Sequence, residues 1–196
     1  LILKIVLATH NRGKMEEISN ILAKLPVEIL TLDSFPNIGE IPETGDTLIK
    51  NAFIKAETVH ELTGLPSLAD DTGLEVDALL GAPGVYSARY AGETATYEDN
   101  CNKMLKDMKR FSKDERTACF RTVIAFVTKH DKIWTEGIVK GFILDHKDGD
   151  KGFGYDPIFY YPPLKKTFAA MKNDEKNSVS HRGKALRNFS DILEKQ

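Results

Sequence analysis

Apolar residues along this chain recur at two spacings, and the changes between them divide it into elements. From Ile2 to Ala8 the run is interrupted only by Lys4, as in a strand covered on both faces. Beyond the loop Thr9-His10-Asn11-Arg12-Gly13, the period lengthens. Met15, Ile18, Leu22 and Leu25 fall on one face of a helix that starts near Lys14 and stops at Pro26. Val27 to Leu32 reads as a second short strand, so the opening is a βαβ-like unit. Pro36, Gly39 and Pro42 mark a loop from Asp33 to Thr44. Gly45-Asp46 then serves as N-cap of a helix reaching about Leu62. Leu48, Ala52, Ala56 and Val59 form its stripe, and Gly64-Leu65-Pro66 ends it.

Ser67 to Asp70 reads as a short strand running into a turn at Asp71-Thr72-Gly73, with Leu74 to Val76 pairing nearby. A loop rich in Gly, Pro and aromatics spans Gly81 to Gly92. Thr96-Tyr97-Glu98-Asp99 is a capping-box pattern, and it opens a helix with Cys101, Met104, Leu105 and Met108 inward. Arg116 to Thr128 and Lys132 to Leu144 are β-branched and aromatic-rich. The turn between them is short, so they predict an antiparallel ribbon. Lys147 to Gly154 is a glycine-rich loop, Pro157 to Tyr160 is extended, and a last helix runs from about Ser178 to Glu194. The prediction is one α/β domain over residues 1–196, with a mixed sheet and two lobes divided by the ribbon.

Composition narrows the class. With 41% hydrophobic and 29% charged residues, the 196-residue chain is too apolar for disorder. Its 27 basic and 29 acidic side chains leave no global field to hold duplex nucleic acid, although a local cluster could bind a small polyanion. Cys101 and Cys119 sit in apolar patterns, which argues against a disulfide framework or a cysteine metal site. Apolar runs are too short to span a membrane. The start of the chain reads as a buried strand, without the basic flank of a signal peptide. The expectation is a cytoplasmic protein with neither nucleic-acid nor membrane partners.

Six segments are candidates for chemistry, of which Gly81 to Tyr90 reads as aromatics that pack rather than bind. Thr9-His10-Asn11-Arg12-Gly13-Lys14 joins a strand to a helix start, where free N–H groups and the dipole favour an anion. Arg12 and Lys14 oppose that dipole unless a phosphate is bound; an ordinary strand–helix turn is the other reading. Asp70-Asp71-Thr72-Gly73 places two acids side by side, which is costly without a cation or donors. One or two carboxylates plus substrate phosphates suffice for Mg²⁺, and a solvated turn would look the same. Glu40 and Glu43 could complete a metal site or lie on a wet loop. In Gly152-Phe153-Gly154-Tyr155-Asp156-Pro157, two glycines around an aromatic either expose its ring for stacking or make a tight turn. Lys176 and the His181-Arg182 pair flank the start of the last helix. There Arg182 offers forked donors for a base carbonyl or a phosphate, and solvated surface is the bland alternative.

Together these segments describe a nucleoside polyphosphate site, and their order carries a resemblance. Ala8 to Lys14, Glu43-Thr44-Gly45, Asn51-Ala52, Ala69 to Gly73, Gly81 to Tyr90, Gly152 to Pro157 and Ser180 to Gly183 closely resemble the XTP/dITP diphosphatase (inosine triphosphate pyrophosphatase) family. The resemblance covers almost the whole chain. It implies an elongated mixed β-sheet flanked by helices, two lobes with a central substrate cleft, and a homodimer. It implies hydrolysis of the purine triphosphates ITP, dITP and XTP, with Mg²⁺, to monophosphate and diphosphate. Carried over by position, Thr9, His10, Asn11, Arg12, Gly13 and Lys14 hold the triphosphate. Asp71 is general base and Mg²⁺ ligand, Asp70 and Lys14 assist it, and Glu43 is the second ligand. Thr72 touches substrate. Phe153 stacks on the purine, with Gly154, Tyr155 and Asp156 around it. Lys176, His181 and Arg182 read the base and bind phosphate. Two positions depart from the family pattern: Pro42 precedes Glu43 where relatives pair two acids, and Lys50 stands where relatives have Glu.

Overall fold

The computed structural model describes residues 2–195. The first strand, β1 (Leu3–Leu7), is followed by α1 (Arg12–Leu22) and β2 (Val27–Thr31). β1 and β2 are parallel, with Leu3 opposite Val27 and Leu7 opposite Thr31. The helix between them supplies the crossover that a parallel pair requires. Asn11 caps α1, its side-chain oxygen accepting from the Lys14 N–H. A loop leads to α2 (Leu48–Thr63), which is capped by Thr47, one residue beyond the predicted Gly45-Asp46, and closed by Gly64 in the left-handed conformation.

Next comes β3 (Ser67–Val76), ten residues without a break. It corrects the turn expected at Asp71-Thr72-Gly73. Two adjacent acids suggest a solvated bend only if nothing neutralises them, and here both are buried beside cations. Ser67 and Leu68 pair in parallel with Val6 and Leu7, whereas Leu74 and Glu75 pair antiparallel with β4 (Pro83–Gly84). The helix α3 (Tyr97–Met108) opens on the predicted capping box. The ribbon is β5 (Thr117–Val127) and β6 (Lys132–Ile143), closed by a Thr128 N–H donating to the Asp131 carbonyl at 2.9 Å. β7 (Phe159–Tyr161) and β8 (Lys166–Thr167) add antiparallel edges. The strand order is β2-β1-β3-β5-β6-β7-β8, with β4 beside β3, so the sheet is mixed and eight-stranded.

The last helix, predicted from about Ser178 to Glu194, is α5 (His181–Leu193), and a separate short helix that was not predicted, α4 (Asn173–Val179), precedes it. Ser180 lies between them with extended backbone, φ −66° and ψ 160°. Serine hydrogen-bonds locally outside helices and favours their starts, so a continuous polar-apolar period hid the break.

The chain forms two compact units. The first takes in the residues up to Asp71, Thr122–Gly137 and those from His181 onward; the second is Thr72–Arg121 and Ile138–Ser180. Ile5, Leu7, Ile18, Leu22, Leu68, Phe126 and Phe189 are core residues of the first. Leu74, Met104, Met108, Phe120, Phe159 and Phe168 are core residues of the second. Burying each such side chain contributes about 1.5–3 kcal/mol. These cores give the polar residues described next a rigid frame.

Candidate active site

β1 delivers the Thr9–Lys14 loop, β3 delivers Asp70 and Asp71, α2 presents Lys55, and α5 begins with His181 and Arg182. In the first unit they meet in a buried charge cluster. Asp70 is its hub. Its Oδ2 accepts from Arg182 Nε at 3.1 Å and Nη2 at 2.9 Å, and its Oδ1 lies 3.2 Å from Lys14 Nζ. Arg182 Nη1 also pairs with Glu17. Asp70 and Arg182 are each 1% exposed. A buried carboxylate left alone costs several kcal/mol, and these cations offset that. Burial opposes the Asp70 charge, yet Lys14, Arg182 and Lys55 hold its carboxyl far below the usual range. Burial likewise opposes Arg182, but Asp70 and Glu17 raise it above the ordinary guanidinium value. These partners favour the ionised form of Asp70.

Asp71 differs although it is the next residue. Its Oδ1 accepts from Lys55 Nζ at 3.2 Å, while its Oδ2 is buried without a hydrogen-bond partner. Burial pushes its pKa up, Lys55 and Lys14 pull it back, and Glu43 and Asp70 push it up again; the net direction is upward. Of the two aspartates, Asp71 is therefore the one whose proton affinity the surroundings raise. Lys55 uses all three N–H groups, donating to Glu43 Oε1 at 2.6 Å, the Asp70 carbonyl at 2.7 Å and Asp71. Burial disfavours its charge, but Asp71, Glu43 and Asp70 outweigh that and raise its pKa. Lys14 goes the other way, lowered chiefly by burial despite Asp70.

Glu43 and Asp71 thus converge on one cation. Two hard oxygen donors around an orphaned carboxylate oxygen fit Mg²⁺, which takes one or two carboxylates and otherwise water and phosphate oxygens. Among the described residues no group of three or more His, Cys, Asp or Glu forms a metal cage.

Around this cluster, Thr9 accepts through Oγ1 from the Asn11 N–H at 3.2 Å, so the loop is folded on itself. Asn11 Oδ1 is committed to capping α1. Arg12 and His10 are exposed, and His10 Nε2 lies 3.3 Å from the Gly39 carbonyl. His181 is buried at the first position of α5. Lys55 and Glu17 were absent from the sequence reading, and both signals were present. Lys55 continues the spacing Leu48, Ala52, Val59 of the buried face, where a lysine needs a partner. Glu17 lies one turn beyond Lys14.

In the second unit, Phe153, Gly154, Tyr155, Asp156 and Lys176 come together. Gly152 has φ +73°, and a Cβ there would stand 2.0 Å from Asp156 Oδ2. Only glycine fits that approach. Asp156 Oδ2 accepts from the Phe153 N–H at 2.9 Å and from Lys176 Nζ at 2.5 Å. Lys176 Nζ also lies 4.8 Å from the centroid of the half-buried Phe153 ring. Tyr155 is buried, its hydroxyl donating to the Ser87 carbonyl at 2.8 Å. Thr72 is half-buried on β3. The arrangement presents an aromatic face with a cation held beside it.

Comparison with known proteins places the chain. The Ham1 family model matches residues 5–192. A dITP/XTP pyrophosphatase of Desulforamulus reducens is 47% identical over 192 residues, 97% of this chain and 96% of that protein. One from Geobacter sulfurreducens is 47% identical over 191 residues, 97% and 96% of the two chains. Among solved structures, a HAM1 protein from Coxiella burnetii superposes with a TM-score of 0.90 at 40% identity over 100% of both chains. A nucleoside-triphosphatase, dITP/XTP pyrophosphatase, from Mycobacterium abscessus gives 0.76 at 39% identity over 95% of this chain and 98% of that one. These matches cover nearly the whole chain in sequence and in fold, and the chain belongs to the Ham1 family.

Proposed function

We propose that this protein hydrolyses the non-canonical purine triphosphates dITP, XTP and ITP to the monophosphate and diphosphate, removing them from the nucleotide pool. The observation that carries the reading is the nearly full-length identity to dITP/XTP pyrophosphatases. The unequal environments of Asp70 and Asp71 support it chemically.

In the mechanism, Asp71 orients the attacking water and takes its proton. Asp70 stays charged and fixes Lys14 and Arg182. Thr9 to Lys14 bind phosphate oxygens, with Lys14 and the start of α1 offsetting charge as the bond between the α and β phosphates breaks. Asp71 and Glu43 would hold Mg²⁺. When bound, the ion neutralises negative charge on the phosphates and orients them. Phe153 stacks on the purine, Gly154, Tyr155 and Asp156 line its pocket, and Thr72 touches the substrate. Lys176, His181 and Arg182 supply donors to the base and phosphate. No described helix is long and apolar enough to cross a membrane, and we place the activity in the cytoplasm, in a homodimer.

The test is product identity. ITP with Mg²⁺ should give IMP and diphosphate without IDP. Stepwise release of orthophosphate would sink the reading.

A further inference from the structure

We infer that Asn51 is a positioning residue that holds Glu43 in place for the metal, an assignment that rests on the Mg²⁺ reading of Glu43 and Asp71 above. Asn51 is completely buried on α2, one turn before Lys55 and on the same face. Its Oδ1 accepts from the Gly45 N–H at 2.7 Å. Two residues earlier, Glu43 reaches Lys55 Nζ at 2.6 Å. One face of one helix therefore grips the Glu43-Thr44-Gly45 segment twice: Asn51 by its backbone, Lys55 by its acid.

The contact is close. A Cβ on Gly45 would stand 2.7 Å from Asn51 Oδ1 and 2.7 Å from Lys50 Cβ, so the loop lies on α2 only with glycine there. The amide orientation is fixed as well, because the flipped form would set an NH₂ against an N–H. That leaves Asn51 Nδ2 buried with no acceptor. An apolar residue of the same shape would avoid this cost but would leave the partly buried Gly45 N–H without its acceptor; the two oppose, so core stability alone does not select asparagine here. What asparagine supplies, and leucine cannot, is the acceptor that anchors the loop. Lys55 cannot replace it: Lys55 holds the carboxylate that Mg²⁺ must also engage, whereas Asn51 holds backbone and is unaffected when the carboxylate changes partner.

The experiment measures Mn²⁺ binding by electron paramagnetic resonance. It uses the whole protein with dITP carrying a methylene bridge between the α and β phosphates, which cannot be cleaved there. Asn51→Leu should raise the Mn²⁺ dissociation constant about 10- to 100-fold, as loss of support behind a ligand does. Its thermal midpoint should be unchanged or higher, and the Gly45 amide should exchange faster with deuterium. Gly45→Ala, which leaves Asn51 intact but lifts the loop, should weaken Mn²⁺ in the same direction and serves if Asn51→Leu does not fold. Glu43→Gln is the reference. If it weakens Mn²⁺ while Asn51→Leu and Gly45→Ala do not, the positioning role is overturned and the ligand reading stands. If Glu43→Gln has no effect, or the wild type binds no Mn²⁺, the ligand reading fails and this inference with it.

Discussion

Adjacent aspartates with opposite chemistry are the central fact at the scale of single residues. Asp70 is paired with both Lys14 and Arg182, whereas Asp71 has Lys55 alone on Oδ1 and a buried Oδ2 with no hydrogen-bond partner. Asp71→Asn preserves shape and removes the proton acceptor, and kcat for ITP should fall about 10²- to 10⁴-fold. Near wild-type turnover would remove Asp71 from that role. Arg182→Ala strips Asp70 and Glu17 of their shared partner, and breaking a buried pair costs about 3–5 kcal/mol. Kinetics must therefore be taken on the folded fraction, with the loss checked by urea denaturation. If Arg182 also donates to the purine 6-oxygen, the ratio of kcat/KM for ITP over ATP should narrow. An unchanged ratio leaves His181 as the base reader. The sequence made the acids and cations legible as candidates, since each was a charge in an unusual place. Residue types alone did not tell the two aspartates apart; the resemblance assigned the base to Asp71, and the physical difference between them lies in their surroundings. Those surroundings come from Arg182, 112 residues away, and from Lys55, whose place on the buried face of its helix does not say which acid it meets.

Elements were legible where local signals agree with tertiary demand. The capping box at Thr96 is one: Thr96 Oγ1 accepts from the Asp99 N–H at 3.1 Å, and Asp99 Oδ2 accepts from the Thr96 N–H at 2.9 Å. Thr96→Ala should lower stability by about 0.5–2 kcal/mol, and urea midpoints would show no change if α3 did not depend on its cap. β1, β2 and the β5–β6 ribbon were equally plain, since their apolar and β-branched runs have no competing period. β3 was misjudged after Asp70 because local rules place Asp-Asp-Thr-Gly in a turn, and only the buried cations make a straight strand affordable. The final helix was misjudged for the converse reason. Its period continues across Ser180, and the break is visible only as one residue with extended backbone.

Across the whole molecule, the chemistry is divided by chain segment. The cluster around Asp70 and Asp71 lies in the first unit, the Phe153–Lys176 group in the second, and both free thiols, Cys101 and Cys119, belong to the second as well. Burial pushes the Cys101 thiol up to about 11. Burial, with the Glu75 carboxylate accepting from its Sγ, does the same for Cys119, also to about 11. The ordinary value is near 9. Between those two pH values the unfolded chain has released thiol protons that the native protein still holds. The native state then binds more protons, and stability falls as pH rises through the window, having been fully present below it. Tyr90 and Tyr155, raised first by burial, add the same sign from their own higher starting point. Lys14 is lowered by burial and acts with the opposite sign, so one pH curve does not isolate the thiols. Comparing wild type with Cys101→Ala/Cys119→Ala does. Urea midpoints taken from pH 8 to 11 should converge or cross, because the wild type loses stability above about 9 that the double variant never had to lose. Midpoints that stay parallel across the window would mean that neither thiol is held protonated by folding.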